Sequence, residues 1–267
     1  MTRSPRISPR VYLITASTGI GAETARQLAR LGHHLFIVSR TARNVRALID
    51  ELQELGAVTG SHAGDLTNPK VGPAAVEKCV GMFGRLDGLY NVAGISARKF
   101  GDGPLHECTE KGWSTVMETN AATQYRLCRE ALRVMLAQQP HADNGQRGVI
   151  LNMASILGIH PEPRHFSAIG YAASKGAIIS MTRSAAAYYA KDKIRINAIA
   201  PGLVQTPMSA RASEDPAVLK FVAHKQPLQG GTIPVEDAAT ASVFLLTDAS
   251  RSITGKVLEV DAGWDLS

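Results

Sequence analysis

The stretch Val11-Tyr12-Leu13-Ile14-Thr15-Ala16-Ser17-Thr18-Gly19-Ile20-Gly21-Ala22-Glu23-Thr24-Ala25-Arg26-Gln27-Leu28 decides the fold. It opens on an apolar run without polar alternation, passes through a turn, and continues with apolar residues at helical spacing. The run reads as a strand buried on both faces and Gly21–Leu31 as the helix that follows it. A glycine-bearing turn between such a strand and a helix lets backbone N–H groups approach a phosphate at the helix N-terminus. Ser17, Thr18, Gly19, Ile20 and Gly21 are therefore candidates for holding a dinucleotide. A complete Gly-x-x-x-Gly-x-Gly loop would carry glycine at position 15, where this chain has Thr15. Either Thr15 or Ala16 stands in for that glycine, or the loop is one residue shorter.

The same alternation repeats along the chain. Further strand-like runs occur at Leu35–Ser39, Val58–Ala63, Leu86–Asn91, Val149–Asn152, Arg195–Ala200 and Val257–Val260. Helical patterns occupy Asn44–Leu55, Val71–Phe83, Thr109–Ala137 and Tyr171–Lys191. Strand–helix alternation builds right-handed βαβ units, and so a parallel sheet covered by helices on both faces. The expected architecture is one doubly wound α/β domain over residues 11–267, with seven parallel strands. It is preceded by a basic arm over residues 1–10 that carries Arg3, Arg6 and Arg10. The stretch from Gln205 to about Pro234, with Pro207, Pro216, Pro227, Pro234 and the Gln229–Gly231 turn, breaks the alternation, with 207–230 as its central part. It reads as a lid over the carboxyl ends of the strands or as a plain surface excursion.

Composition narrows the function. Twenty-nine Lys and Arg against 23 Asp and Glu give a net charge of +6, and hydrophobic residues make up 45%. That is a globular mixture, neither disordered nor fibrous. Aromatic residues are only 5% of the chain, with no basic–aromatic cluster for stacking bases, so no nucleic-acid partner is expected. Cys79, Cys108 and Cys128 lack metal-ligand spacing, and no metal is expected. The start has neither the apolar core of a secretion signal nor a membrane span, so the chain reads as soluble and cytoplasmic.

The second strand ends in Ser39-Arg40. A carboxylate there would hold the ribose 2′-hydroxyl of NAD, whereas a guanidinium suits the 2′-phosphate of NADP. Arg40 therefore favours NADP(H), unless it is only a surface arginine at a strand end. Tyr171-Ala172-Ala173-Ser174-Lys175 places a phenol and an ammonium one helical turn apart. The ammonium favours the phenolate and draws a group with a pKa of about 10 toward working pH. Tyr189 and Lys193 repeat that spacing, so the motif alone discriminates little. Its companions are Ser155, at the end of a buried strand, and Asn120, polar among apolar helical neighbours. Ser155 can polarise a carbonyl oxygen or merely cap a turn; Asn120 can order a proton relay or merely distort its helix.

Together these stretches resemble the short-chain dehydrogenase/reductase family, from Val11 to about Gly263. The resemblance rests on TASTGIG (15–21), Asp65 in GDL, NVAG (91–94), Asn120, NMAS (152–155), YAASK (171–175) and NAIAPGLVQT (197–206). It implies a Rossmann-like fold and an NADP(H)-dependent oxidoreductase interconverting a ketone or aldehyde and an alcohol. By the same resemblance Asn120, Ser155, Tyr171 and Lys175 form the catalytic set, with Lys175 also on the nicotinamide ribose. Asp65 and Leu66 flank the adenine, and Asn91, Ala93 and Gly94 brace the adenosine ribose side. Pro201, Gly202, Val204 and Thr206 line the nicotinamide. Ser155, Leu157, Tyr171, Leu203 and Met208 face a small-molecule substrate, within walls formed by 97–100, 156–160 and 165–169. A homotetramer is implied as well. A 3-oxoacyl-[acyl-carrier-protein] reductase is the alternative within the family, and a non-catalytic dinucleotide sensor the alternative outside enzymes. Val92 stands where the family usually has a second asparagine, which should loosen that turn. The Ser155–Tyr171 spacing of sixteen exceeds the usual one of about thirteen, and the added 160–170 segment should shape the pocket.

Overall fold

The computed structural model describes residues 8–96 and 98–267. Arg3 and Arg6 of the expected arm, and Ala97 of the expected wall, lie outside the described residues. Seven strands form one sheet: β1 (Val11–Ile14), β2 (His34–Ser39), β3 (Thr59–Ala63), β4 (Gly88–Asn91), β5 (Gly148–Met153), β6 (Ile194–Pro201) and β7 (Val257–Val260). Their order is β3-β2-β1-β4-β5-β6-β7, and every pairing is parallel. This is the doubly wound, single-domain Rossmann-like fold that the alternation implied. The winding reverses between β1 and β4, and such a reversal opens a crevice beyond the strands' carboxyl ends.

Successive strand residues point to opposite faces, and both faces are covered. Leu13, Phe36, Val38, Leu89, Ile150 and Ile196 pack on one side against α3 (Val71–Phe83) and α5 (Thr123–Ala137). Tyr12, Ile14, Leu35, Ile37, Leu151 and Ile199 pack on the other against α1 (Gly19–Arg30) and α2 (Ala42–Glu54). Each fully buried large side chain contributes about 1.5–3 kcal/mol. The non-alternating runs were legible for this reason: β5 and β6 are buried at every position.

The sequence reading missed α9 (Val235–Leu246). It follows a proline-rich stretch that masked its start, although Pro234 precedes it and Glu236 and Asp237 occupy its first turn. Leu245 and Leu246 complete the second core face. The expected 109–137 helix is three consecutive pieces: α4 (Glu110–Val116), a π-helical turn over Met117–Ala122, and α5. The 207–230 stretch folds into α7 (Ala210–Glu214) and α8 (Pro216–Lys225), the latter capped by the Asp215 carboxylate.

Arg10 corrects the expected arm. It is 4% exposed, and its guanidinium reaches Asp143 at 2.7 Å and Asp248 at 3.5 Å. Its backbone N–H also donates to His33 Nδ1 at 3.2 Å. The two compensating carboxylates lie 133 and 238 positions away, where no local reading of the sequence can find them.

Candidate active site

A cavity of about 610 Å³ opens at the carboxyl edge of the sheet. It runs from Ser39, Arg40 and Asp65, past the β1–α1 turn, to Ser155, Tyr171 and Lys175, and on to Phe166, Arg211 and Trp264.

The β1–α1 turn is built without its first glycine. Thr15 Oγ1 accepts from the backbone N–H groups of Val92 at 2.9 Å and Ala93 at 3.1 Å, so one hydroxyl ties the turns after β1 and β4 together. The loosening expected from Val92 is therefore offset by Thr15, and Val92 packs close behind Gly21. Gly19 has φ +59°, a conformation that side-chain-bearing residues rarely adopt. Gly21 lies behind the cavity wall: a Cβ there would stand 2.6 Å from that of Ala16. Thr18 begins α1 without a side-chain capping bond, and the first turn holds no acidic residue. Its N–H donors are thus unspent, which suits an anionic phosphate.

At the far end Ser17 Oγ donates to Ser39 Oγ at 2.9 Å, and Arg40 is exposed on the rim. Asp65 accepts from the backbone N–H of Thr67 at 3.0 Å and from its hydroxyl at 2.8 Å. The Thr67 N–H above all, then its hydroxyl and the nearby Arg40, hold the Asp65 carboxyl below its ordinary range. Leu66, Ala93 and Gly94 line the same cavity. Asn91 does not. Its side chain turns inward, donating to Asn152 Oδ1 at 2.9 Å and Cys128 Sγ at 3.3 Å, while Asn152 donates to Thr182 Oγ1 at 2.9 Å. The residue expected beside the adenosine ribose is instead a polar stitch between strands and helices.

At the other end the helix α6 (Ile169–Tyr189) delivers Tyr171 and Lys175 to the edge where β5 ends. Asp102 caps that helix from a distant loop, accepting from Gly170 N at 2.8 Å and Tyr171 N at 2.9 Å. Ser155 caps a turn and also lines the cavity. Its Oγ accepts from Leu157 N at 3.2 Å, capping a single 3₁₀ turn, and its hydroxyl lies beside the Tyr171 phenol. Burial raises the Tyr171 pKa, and the neighbouring Ser155 hydroxyl opposes that rise. Lys175 is 2% exposed; burial pushes it down to about 7. Its Nζ donates to Met153 O at 2.8 Å and stands 5.5 Å from the centre of the Tyr171 ring.

Asn120 lies in the π-helical turn, fully buried and behind the cavity wall. Its Oδ1 accepts from Ile95 N at 2.8 Å, and its Nδ2 donates to Ile95 O and Ser174 Oγ, both at 3.1 Å. It therefore clamps the chain after β4 to α6. Gly94 runs between Asn120 and Lys175: a Cβ there would lie 3.0 Å from Asn120 Oδ1 and 3.7 Å from Lys175 Nζ.

Pro201, Gly202, Leu203, Val204, Thr206 and Met208 all line the cavity, as does Leu157. The added segment between Ser155 and Tyr171 is wound around Glu162. That carboxylate accepts from the backbone N–H groups of Arg164, His165 and Phe166 at 2.9, 2.7 and 3.1 Å. The histidines of the expected walls turn away: His160 pairs with Glu259 at 3.2 Å, and His165 packs on Phe221. Sequence reasoning missed Trp264, Arg211 and the capping role of Asp102. Trp264 packs edge-on to Phe166 and Phe221, and its place near the chain end carried no motif that could have marked it.

Comparison with known proteins agrees with this geometry. The sequence model of the family described as enoyl-(acyl carrier protein) reductase matches residues 14–265. The A-factor type gamma-butyrolactone 1'-reductase (1S-forming) of Streptomyces virginiae is 32% identical over 99% of this chain and 98% of its own. The cis-4-hydroxycyclohexanecarboxylate dehydrogenase of Sinomonas cyclohexanicum is 35% identical over 96% of each. A variant of actinorhodin polyketide ketoreductase solved with NADPH superposes with a TM-score of 0.85, at 27% identity, covering 97% of this chain and 98% of the other. A doubly wound sheet with a dinucleotide-sized cleft and a Ser–Tyr–Lys group at its edge defines a nicotinamide oxidoreductase. The chain belongs to the short-chain dehydrogenase/reductase family.

Proposed function

We propose that the chain is an NADP(H)-dependent oxidoreductase interconverting a ketone or aldehyde and its alcohol. The observation that carries this reading is that Ser155, Tyr171 and Lys175 line one cavity, with Lys175 Nζ 5.5 Å from the centre of the Tyr171 ring, and that this cavity continues to Arg40. The cleft suits a dinucleotide: α1 presents free donors for the phosphates, Asp65 and Leu66 flank one end, and Pro201 to Thr206 line the other. Arg40 offers the 2′-phosphate a planar fork where a carboxylate would repel it. The neighbour solved with NADPH supports the same choice.

The bound coenzyme supplies or accepts the hydride. The chain's own residues manage the oxygen. Ser155 donates a hydrogen bond to the carbonyl oxygen and orients it. Tyr171 gives that oxygen a proton during reduction and takes one from the alcohol during oxidation. Burial works against the phenolate and the Ser155 hydroxyl opposes it; Lys175, when protonated, draws Tyr171 further toward working pH. With the coenzyme bound, Lys175 would also hold the nicotinamide ribose hydroxyls. Asn120 acts as a positioning residue, fixing the backbone at Ile95 and the α6 hydroxyl of Ser174. The 207–230 segment serves as the substrate lid, since Met208 and Arg211 within it face the cavity.

Initial rates with a panel of ketones and aldehydes, each with NADPH and with NADH, test the proposal. Consumption of NADPH well above NADH is expected; no consumption with any carbonyl would remove it. The description of the matching family names an acyl carrier protein, which favours a 3-oxoacyl-carrier substrate as the second reading. Salt-sensitive turnover of acyl-carrier substrates over small ketones would select it. A homotetramer in the cytoplasm goes with the family reading, and light scattering measures the assembly.

A further inference from the structure

Past Tyr171, the substrate end of the cavity is lined by Arg98, Lys99 and Arg211 together with the rings of Phe166 and Trp264. Among the described residues none of these three cations forms an ion pair. The two carboxylates close to Arg98 act on it through their charge, but their hydrogen-bonding oxygens are directed elsewhere. Glu162 spends its oxygens on three backbone N–H groups of its own loop, and Asp102 spends both of its oxygens on the start of α6. Arg98 is half-buried and pinned by one Nη2 bond to His165 O at 2.7 Å, and it lies near enough to Arg211 to feel its charge. Lys99 stands over the Phe100 ring, 5.0 Å from its centre. Two unpaired guanidinium groups from segments more than a hundred residues apart, held beside an apolar aromatic wall, make a receptor for a carboxylate.

We infer that the substrate carries a carboxylate on a compact apolar body, its carbonyl at Ser155 and Tyr171 and its anionic end between Arg98 and Arg211. Phe166, Trp264, Leu157 and Leu203 hold the body between the two ends. The placement of the carbonyl rests on the reductase reading above; the anion site does not.

Calorimetric binding of cyclohexanecarboxylate and of cyclohexanecarboxamide tests the anion site without any turnover. The wild-type protein should prefer the carboxylate by about tenfold or more, with the preference falling as salt is added. Arg98→Gln/Arg211→Gln should lose it, and Arg211→Gln alone, on an exposed helix, should show an intermediate preference in a fold that its side chain does not support. Equal affinity for acid and amide in the wild type overturns the inference. So does a loss of NADPH affinity in the double variant, which would assign the arginines to the coenzyme.

The kinetic arm compares 4-oxocyclohexanecarboxylate with its methyl ester. The acid should have the higher kcat/KM, and the double variant should bring the ratio near one, mainly through KM. Turnover of acetoacetyl-CoA in preference to acetoacetate, with the substitutions affecting only the thioester, would assign the anion to a phosphate and overturn the carboxylate. If no carbonyl is turned over, the reductase reading fails while the calorimetry still decides this one.

Discussion

Ser155 and Tyr171 lie side by side in the wall of one cavity although sixteen residues of chain separate them and the segment between is wound around a buried carboxylate. Insertion has lengthened the wall without displacing the two hydroxyls, because each is fixed by its own element: Ser155 by the end of β5, Tyr171 by the Asp102-capped start of α6. Tyr171→Phe removes only the proton donor. Turnover should fall by about 10²–10⁴-fold, with NADPH binding by fluorescence titration little changed; unaltered turnover would discard the assigned acid–base role.

Arg40→Asp should invert coenzyme preference. The new carboxylate would repel the 2′-phosphate and accept from a ribose hydroxyl, raising KM for NADPH and lowering it for NADH. The ratio of kcat/KM for the two coenzymes is the measurement, and a ratio equal to that of wild type refutes the role of Arg40.

Lys175 is held at about 7 in the folded chain against an ordinary 10.5. Between these values the unfolded chain binds a proton that the folded one does not, so stability rises with pH there, by at most about 1.4 kcal/mol per unit. The cost is complete below pH 7 and gone above 10.5. Lys175→Met should therefore be inactive yet melt higher than wild type at pH 6–7, with the gap closing as pH rises. Parallel melting curves across that range would contradict the burial argument.

Gly21→Val would place a branched side chain against Ala16 and Val92, where even a Cβ stands 2.6 Å from Ala16 Cβ. A loss of about 1–3 kcal/mol is expected in urea unfolding, together with weaker coenzyme binding, because the turn that meets the phosphates must shift. Wild-type values for both would show that the turn has slack.

Glu162→Ala would free three backbone N–H groups of the cavity wall. KM for the substrate should rise several-fold with the coenzyme KM unmoved, since the loop borders only the far end of the cleft. A parallel rise in both would place the effect on folding.

What the sequence disclosed follows from where the forces are local. Apolar runs mark strands buried on both faces, so β1, β2, β4, β5 and β6 were legible, as were Ser155, Tyr171 and Lys175 at their motif spacings. Asn91 was misread because its motif sits at a strand end, and only the neighbouring helices show that its amide faces Asn152 and Cys128. Arg98 and Arg211 carry no local signal: they meet only once the 160–168 loop and α7 have folded over the cavity. Thr15 departs from the glycine loop, and only the folded chain shows its hydroxyl bracing the turn after β4.

Arg10 gives the chain a late test of its own completeness. During synthesis β1 emerges long before Asp143 and Asp248, which neutralise the arginine at its entrance. Until the second of them arrives, part of the compensation for a cation in the interior is missing. A nascent or truncated polypeptide ending before Asp248 would keep this seam open, and quality-control proteases would meet a loosened β1 instead of a sealed one.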